Sequence, residues 1–210
     1  MLIKKGAEAS LFLEDWHGRK VILKKRLPKK YRLQKLDEQI RLQRTMHEPQ
    51  FIHRAKVAGV STPTIFMVDI ADATIVMEFV EGKQVKQILN DIEEGQRVLL
   101  CRQIGNLIGQ LHSQGIIHGD LTTSNMILTP HGKIVFVDFG LSEISKDLEV
   151  KGVDLHLMKR AFQSTHYRHA KECFKAVMEG YAEVVGNSVA KDVFEKIQEI
   201  EKRGRYVSGR

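Results

Sequence analysis

Ile117–Ser142, IHGDLTTSNMILTPHGKIVFVDFGLS, is the stretch on which the reading of this chain turns. His118-Gly119-Asp120 opens it, Asn125 follows five residues after the aspartate, and Asp138 stands thirteen further on, inside Asp138-Phe139-Gly140. Met126-Ile127-Leu128 and Ile134-Val135-Phe136-Val137 flank Thr129-Pro130-His131-Gly132, two apolar runs around a Pro/Gly turn, which predicts a hairpin. Folding it back brings Asn125 beside Asp138. A hard cation such as Mg²⁺ takes oxygen ligands and keeps phosphates and waters in its other positions, so one carboxylate and one amide oxygen suit it. Asp120 is then left to accept a proton from an attacking hydroxyl, or to orient it. Singly, an Asp or Asn before an apolar run is more often a turn or cap. At the H-x-D-x-x-x-x-N … D-F-G spacing the three point together to phosphoryl transfer.

Upstream, residues 2–25 alternate like strands, interrupted by Gly6-Ala7-Glu8-Ala9-Ser10 and by a turn at His17-Gly18. A small-residue loop between strands can lay N–H groups over phosphates, although Gly6 is its one glycine, and an ordinary hairpin reads as well. Lys24 ends a V-x-x-K strand, where an ammonium could reach the α- and β-phosphates. Leu36 to Ala58 has helical spacing, and a carboxylate from it should steer Lys24. Glu48 is the candidate, with Glu38 as fallback. Pro49 complicates it, because Thr45-x-x-Glu48 before a proline also reads as a capping box at a helix start. Two further strands, Thr64–Asp69 and Thr74–Phe79, lead to Met77-Glu78-Phe79-Val80, an extended exit with free backbone groups for an adenine edge.

Leu100, Ile104, Leu107 and Leu111 form an apolar helical stripe that runs into His112, read as structural. After Ser142 three helices are expected, over Val153–Phe162, Arg168–Val185 and Ser188–Arg203. His166 and His169 are three apart with no third ligand in view, which argues against zinc. Cys101 and Cys173, far apart in the chain and without C-x-x-C company, read as buried thiols of a reducing cytoplasm.

The 210 residues suit one domain or two packed lobes. No 18-residue apolar run offers a membrane span, and MLIKKGAEAS has no apolar segment to make a secretory signal. Net charge is +7, from 33 basic and 26 acidic residues, unevenly spread. Lys20–Lys35 is basic without an acid, and Lys202–Arg210, which includes Arg203, Gly204 and Arg205, is a second basic cluster. Either is a solvated face or a surface for an anionic partner such as RNA.

With these residues in view, the chain resembles eukaryotic-type protein kinases, and within them the small RIO-like atypical kinases of the KEOPS complex. The stretches that carry the likeness are GAEASLF, ILKKRLPKKYR, Arg44–Glu48, MEFVEG, HGDLTTSNMIL, VDFGLS, KGVDLHLMKRAFQSTH and the terminal RGR. Against ordinary protein kinases, the loop has one glycine, Gly119 replaces an arginine, A-P-E is missing, and little chain separates Gly140 from the next helix.

The resemblance implies an α+β, two-lobed kinase-like fold: a small sheet lobe with one helix over 1–80 and a reduced helical lobe over 81–210. It implies ATP with Mg²⁺ or Mn²⁺, and Ser/Thr kinase activity that can behave as an ATPase. The expected partners are the threonylcarbamoyl-transferring ASKHA-type ATPase subunit and the other KEOPS subunits, with tRNA reached through the complex. The process is threonylcarbamoyladenosine formation on tRNA, with Arg203, Gly204 and Arg205 in the tail that works with partner and tRNA. Two other readings stay open: a small-molecule phosphotransferase of the aminoglycoside or choline kinase type, and a non-catalytic scaffold for ATP and tRNA.

Overall fold

The computed structural model describes residues 1–6 and 8–207, with side chains as far as residue 203. Strands β1 (Leu2–Lys5), β2 (Ser10–Trp16) and β3 (Arg19–Lys25) are followed by helix α1 (Gln34–Val57), then β4 (Ile65–Asp69) and β5 (Thr74–Glu78). They make one antiparallel sheet in the order β1-β2-β3-β5-β4. The β2–β3 turn sits where His17-Gly18 predicts it, and both residues take positive φ, 54° and 76°. Such angles suit a tight hairpin, and glycine reaches them freely.

Helix α1 differs from the capping-box reading. It runs unbroken for 24 residues, with Pro49 inside it and Glu48 fully buried in mid-helix. Proline removes the N–H that Thr45's carbonyl would receive. The helix survives because Phe51, Ile52 and Ala55 beyond it bury into the main core. Thr45 is no cap: its hydroxyl donates back to Arg41 O at 2.7 Å.

The chain leaves β5 and continues through β6 (Lys83–Gln84), α2 (Val85–Ile88), α3 (Glu94–Ser113) and β7 (Ile116–Ile117). β8 (Met126–Leu128) and β9 (Ile134–Phe136) form the expected hairpin, with Met126 opposite Phe136, and β10 (Glu143–Ile144) pairs back onto β7. Helices α4 (Leu148–Thr165), α5 (Ala170–Val185) and α6 (Asn187–Val207) complete the α+β, kinase-like fold. Only seven residues separate Gly140 from α4, and the β10–β7 ladder uses two of them.

Helices α3 and α5 touch backbone to backbone. A Cβ on Gly180 would lie 1.9 Å from Arg102 O, and one on Gly105 would lie 2.0 Å from Val177 O. This packing brings Cys101 and Cys173, distant in sequence, into neighbouring positions as buried free thiols. Gly180→Ala is therefore expected to cost about 2 kcal/mol or more through overpacking. That is a melting temperature lowered by roughly 4–8 °C, to be read by calorimetry. An unchanged melting curve would contradict this account of the crossing.

Candidate active site

The β8–β9 register sets the site. With Met126 opposite Phe136, the next pair outward is Asn125 and Val137, whose N–H donates to Asn125 O at 3.0 Å. Asp138 follows directly, in a left-handed conformation with φ of 66°. A non-glycine residue held there is uncommon, and Asp and Asn tolerate it best.

Lys24 on β3 reaches across to this end of the hairpin. Its Nζ donates to Glu48 Oε1 and to Asp138 Oδ1, both at 2.6 Å. Burial alone would lower the Lys24 pKa, but Glu48 and Asp138 outweigh it and raise the ammonium above its usual range. Burial likewise works to raise the Asp138 carboxyl, yet the Lys24 charge and hydrogen bond hold it below the usual carboxylate range. The pair is thus ionised at neutral pH. Its stabilising effect is full above the ordinary carboxyl range near 3.8 and is lost as acid takes the pH through the depressed folded value of Asp138.

Glu48 therefore faces Lys24. It also carries a second cation that sequence reasoning missed: Arg26, 3% exposed, donates Nη2 to Glu48 Oε2 and Nη1 to Thr45 Oγ1 at 3.4 Å. Glu38, the fallback, is exposed and accepts from Gln34 Nε2 at 3.0 Å instead. The Lys20–Lys35 run is accordingly not one anion-binding face. Lys24 and Arg26 are buried in the site, Lys25 pairs with Asp72, and Arg32 with Glu8 and Asp37.

Asp120 and Asn125 are linked directly. Asn125 Nδ2 donates to Asp120 Oδ2 at 2.8 Å and to Asp120 O at 3.0 Å. The turn before them hangs on Asp154 of α4, whose carboxylate accepts His118 N and Gly119 N, both at 2.9 Å, and faces His112 Nε2 at 3.2 Å. His112 also meets Tyr181 OH at 3.1 Å, in keeping with a structural role. Gly119 is required: its φ is 80°, and a Cβ there would sit 2.2 Å from Leu141 O. His118 is wholly buried against Phe139, and burial keeps its ring below the usual imidazole range.

A cavity of about 480 Å³ joins these groups. Gly6, Glu8 and Ala9 line it from the β1–β2 loop, facing Lys24, Arg26, Arg44, Asp120, Asn125 and Asp138. Ser10 opens β2 and is buried, and Ala7 lies outside the described residues. Glu8 is tied to Arg44 Nη1 at 2.9 Å and Arg32 Nη2 at 3.1 Å.

Met77, Glu78, Phe79 and Val80 do not line this cavity. Met77 is buried in the sheet, and the Glu78 carboxylate accepts Thr64 N at 2.9 Å. Glu78 and Val80 instead border a separate hollow of about 700 Å³ beside the β8–β9 turn. Of the basic tail, Arg203 is exposed and donates to Glu149 Oε1 of α4 at 2.6 Å, while Gly204 and Arg205 lie beyond the residues described with side chains.

The arrangement offers hard oxygen donors, a fixed ammonium and a separate carboxylate around one cleft, a donor set that fits a divalent cation and a polyphosphate. Residues 6–182 match the protein kinase domain. The chain is also 46% identical over 211 residues to the KEOPS complex subunit Bud32 of Pyrococcus abyssi, covering 98% of this chain and 96% of that protein. This chain belongs to the Bud32 family of protein kinases.

Other Bud32-family relatives agree. The EKC/KEOPS complex subunit bud32 of Dictyostelium discoideum is 38% identical, over 98% of this chain and 82% of that one. A probable bifunctional tRNA threonylcarbamoyladenosine biosynthesis protein of Methanothermobacter thermautotrophicus is 45% identical, over 98% of this chain but 36% of its own length. The present chain thus spans about a third of that relative. Like protein kinase domains generally, this Bud32-family chain is a phosphotransferase built for ATP and a divalent metal. No helix among the described residues is long and apolar enough to cross a membrane.

Proposed function

We propose that the chain is a Ser/Thr protein kinase that also hydrolyses ATP, working as the kinase subunit of a KEOPS complex in threonylcarbamoyladenosine formation on tRNA. The observation that carries the enzymatic part is Lys24 bound at once to Glu48 and Asp138, in one cavity with Asp120 and Asn125. The relatives' names carry the assignment to the complex and to tRNA. The partners would be a threonylcarbamoyl-transferring ASKHA-type ATPase subunit and the other KEOPS subunits, with tRNA engaged through the assembly. The two reduced, buried cysteines fit a cytoplasmic setting.

In this reading Lys24, kept cationic by its two carboxylates, holds the α- and β-phosphates. Gly6, Glu8 and Ala9 cover them. The adenine would reach past this cavity to the chain leaving the sheet at Met77–Val80, where Glu78 already donates its N–H to Thr64 O and Phe79 and Val80 lie beyond the strand. Asp138 and Asn125 would hold Mg²⁺ or Mn²⁺, which supplies charge neutralisation at the phosphate oxygens when bound. Asp120 orients a serine or threonine hydroxyl, or water, toward the terminal phosphate. Positioning and preorganised charge do most of the work in such transfers. The short link from Gly140 to α4 gives little chain with which to exclude water, which favours hydrolysis when no acceptor is docked.

The test is phosphate release from ATP with Mg²⁺, followed by γ-phosphate transfer to peptides, to the partner subunit and to aminoglycosides. Metal-dependent release and transfer to protein are expected. No release at all favours a scaffold, and transfer to aminoglycosides alone favours a small-molecule kinase. Removing the residues after Lys202 is expected to leave intrinsic ATP turnover within about twofold, since Arg203 anchors only to surface carboxylates and such pairs contribute little. Turnover stimulated by partner and tRNA should fall about tenfold or more, the scale of losing a few cationic contacts to an anionic partner. Equal loss of both activities would make the tail structural.

A further inference from the structure

Between Asp120 and Asn125, the two ends of the catalytic loop, side chains alternate in direction. Thr122 and Ser124 line the cleft, whereas Thr123 turns away and is 1% exposed. Its hydroxyl lies 3.0 Å from Nε2 of His166, a histidine just past the end of α4 and equally buried. The other ring nitrogen, Nδ1, lies 2.8 Å from Asn90 Oδ1. Neither nitrogen is left for a metal, and His166 is not a free partner for His169.

The proton positions follow from the neighbours. Asn90 Nδ2 donates to Thr165 O at 3.4 Å, which turns the amide oxygen toward the ring. Nδ1 therefore carries the proton, and Nε2 accepts from the Thr123 hydroxyl. Burial, with Lys86 and His169 as the nearby charges, keeps His166 below the usual imidazole range, so the ring is neutral at pH 7. His166 itself is fixed, since its N–H donates to Phe162 O at 2.8 Å and its carbonyl accepts His169 N at 2.9 Å. A second tie, Gln84 Nε2 to Ser124 O at 2.8 Å, holds the neighbouring residue by its backbone.

We infer that His166 is a positioning residue: by pinning Thr123 from behind, it sets the turn that aims Asp120 and Asn125 at the transferring phosphate. The inference rests on the kinase reading above. Thr123 opens the single helical turn that ends at Asn125, so a shift of Thr123 moves the metal-binding amide and the Asp120 carboxylate bonded to it. Phosphoryl transfer is sensitive to such shifts, a displacement of about 1 Å costing as much as roughly 10²-fold in rate. Nucleotide affinity depends on Lys24 and the covering loop, which His166 does not touch.

The experiment measures kcat and KM for ATP by phosphate release in the full chain, with melting temperature alongside. Thr123→Val keeps the shape and removes the hydroxyl. It is expected to lower kcat about tenfold or more while KM stays within about twofold. Thr123→Ser restores the hydroxyl and should recover most of the loss. At the partner, His166→Gln can place an acceptor near the former Nε2 and should retain most of kcat. His166→Asn reaches only toward Asn90 and should resemble Thr123→Val. The double variant Thr123→Val/His166→Asn should be no worse than either single one.

Wild-type kcat in Thr123→Val would overturn the inference. So would Thr123→Ser and His166→Gln as impaired as their partners, since the bond would then be structural only. If Thr123→Val fails to fold, the Gln and Asn variants of His166 decide alone. A wild-type chain that releases no phosphate fells the kinase reading and this inference with it, whereas an active wild type with an unaffected Thr123→Val fells only the inference.

Discussion

Asp138→Asn is expected to fold normally and to lose metal-dependent ATP turnover by roughly 10³-fold or more, the scale of removing a charged metal ligand. Asparagine is the right replacement because Asp138 sits at φ 66°, a conformation that Asn accepts and most residues resist. The fold should hold for a further reason. Asp138 is half exposed, and Lys24 keeps Glu48 at 2.6 Å when the other carboxylate is neutralised, so no buried charge is left alone. Near-normal melting with turnover gone is the anticipated pair of results. Turnover within about tenfold of the parent chain would remove Asp138 from the metal site. The same variant should also flatten the acid side of the stability curve, because the carboxyl held down by Lys24 no longer titrates.

Asp120→Ala should cost roughly 10²–10⁴-fold in turnover, the usual contribution of a positioned acid–base group. The truncation takes away one of the two acceptors that hold the Asn125 amide, the carboxylate at 2.8 Å, but leaves the Asp120 carbonyl at 3.0 Å. Asn125 therefore stays tethered, and most of the loss is chemical. Nucleotide binding, measured by calorimetry with ADP, should change little. Full turnover in this variant would show that Asp120 has no part in aligning the nucleophile.

How far the sequence carries toward this site can be judged residue by residue. The hairpin that joins Asn125 to Asp138 is local, and its two apolar runs and turn are visible in the sequence; the register then follows. Glu48 is ambiguous, because the local rule for a residue before proline opposes the tertiary burial of Phe51, Ile52 and Ala55, and burial wins. Arg26 stands among lysines, and no local pattern separates a buried guanidinium from its exposed neighbours. Asp154 lies 36 residues from the His118 amide it accepts, and His166 lies 43 from Thr123, spacings set by how α4 crosses the loop. The KGVDL and STH stretches in which they stand carry the family resemblance, which is the one signal that could have singled them out.

Arg26 has a consequence for how such an enzyme could be controlled. Glu48 carries two buried cations, and swinging α1 outward would leave Lys24 with Asp138 alone and strand Arg26 in a dry setting, a penalty of several kcal/mol. An equilibrium so lopsided leaves the disassembled form almost unpopulated. The pair from Arg26 to Glu48 thereby ties the sheet to this helix and opposes an on–off pivot.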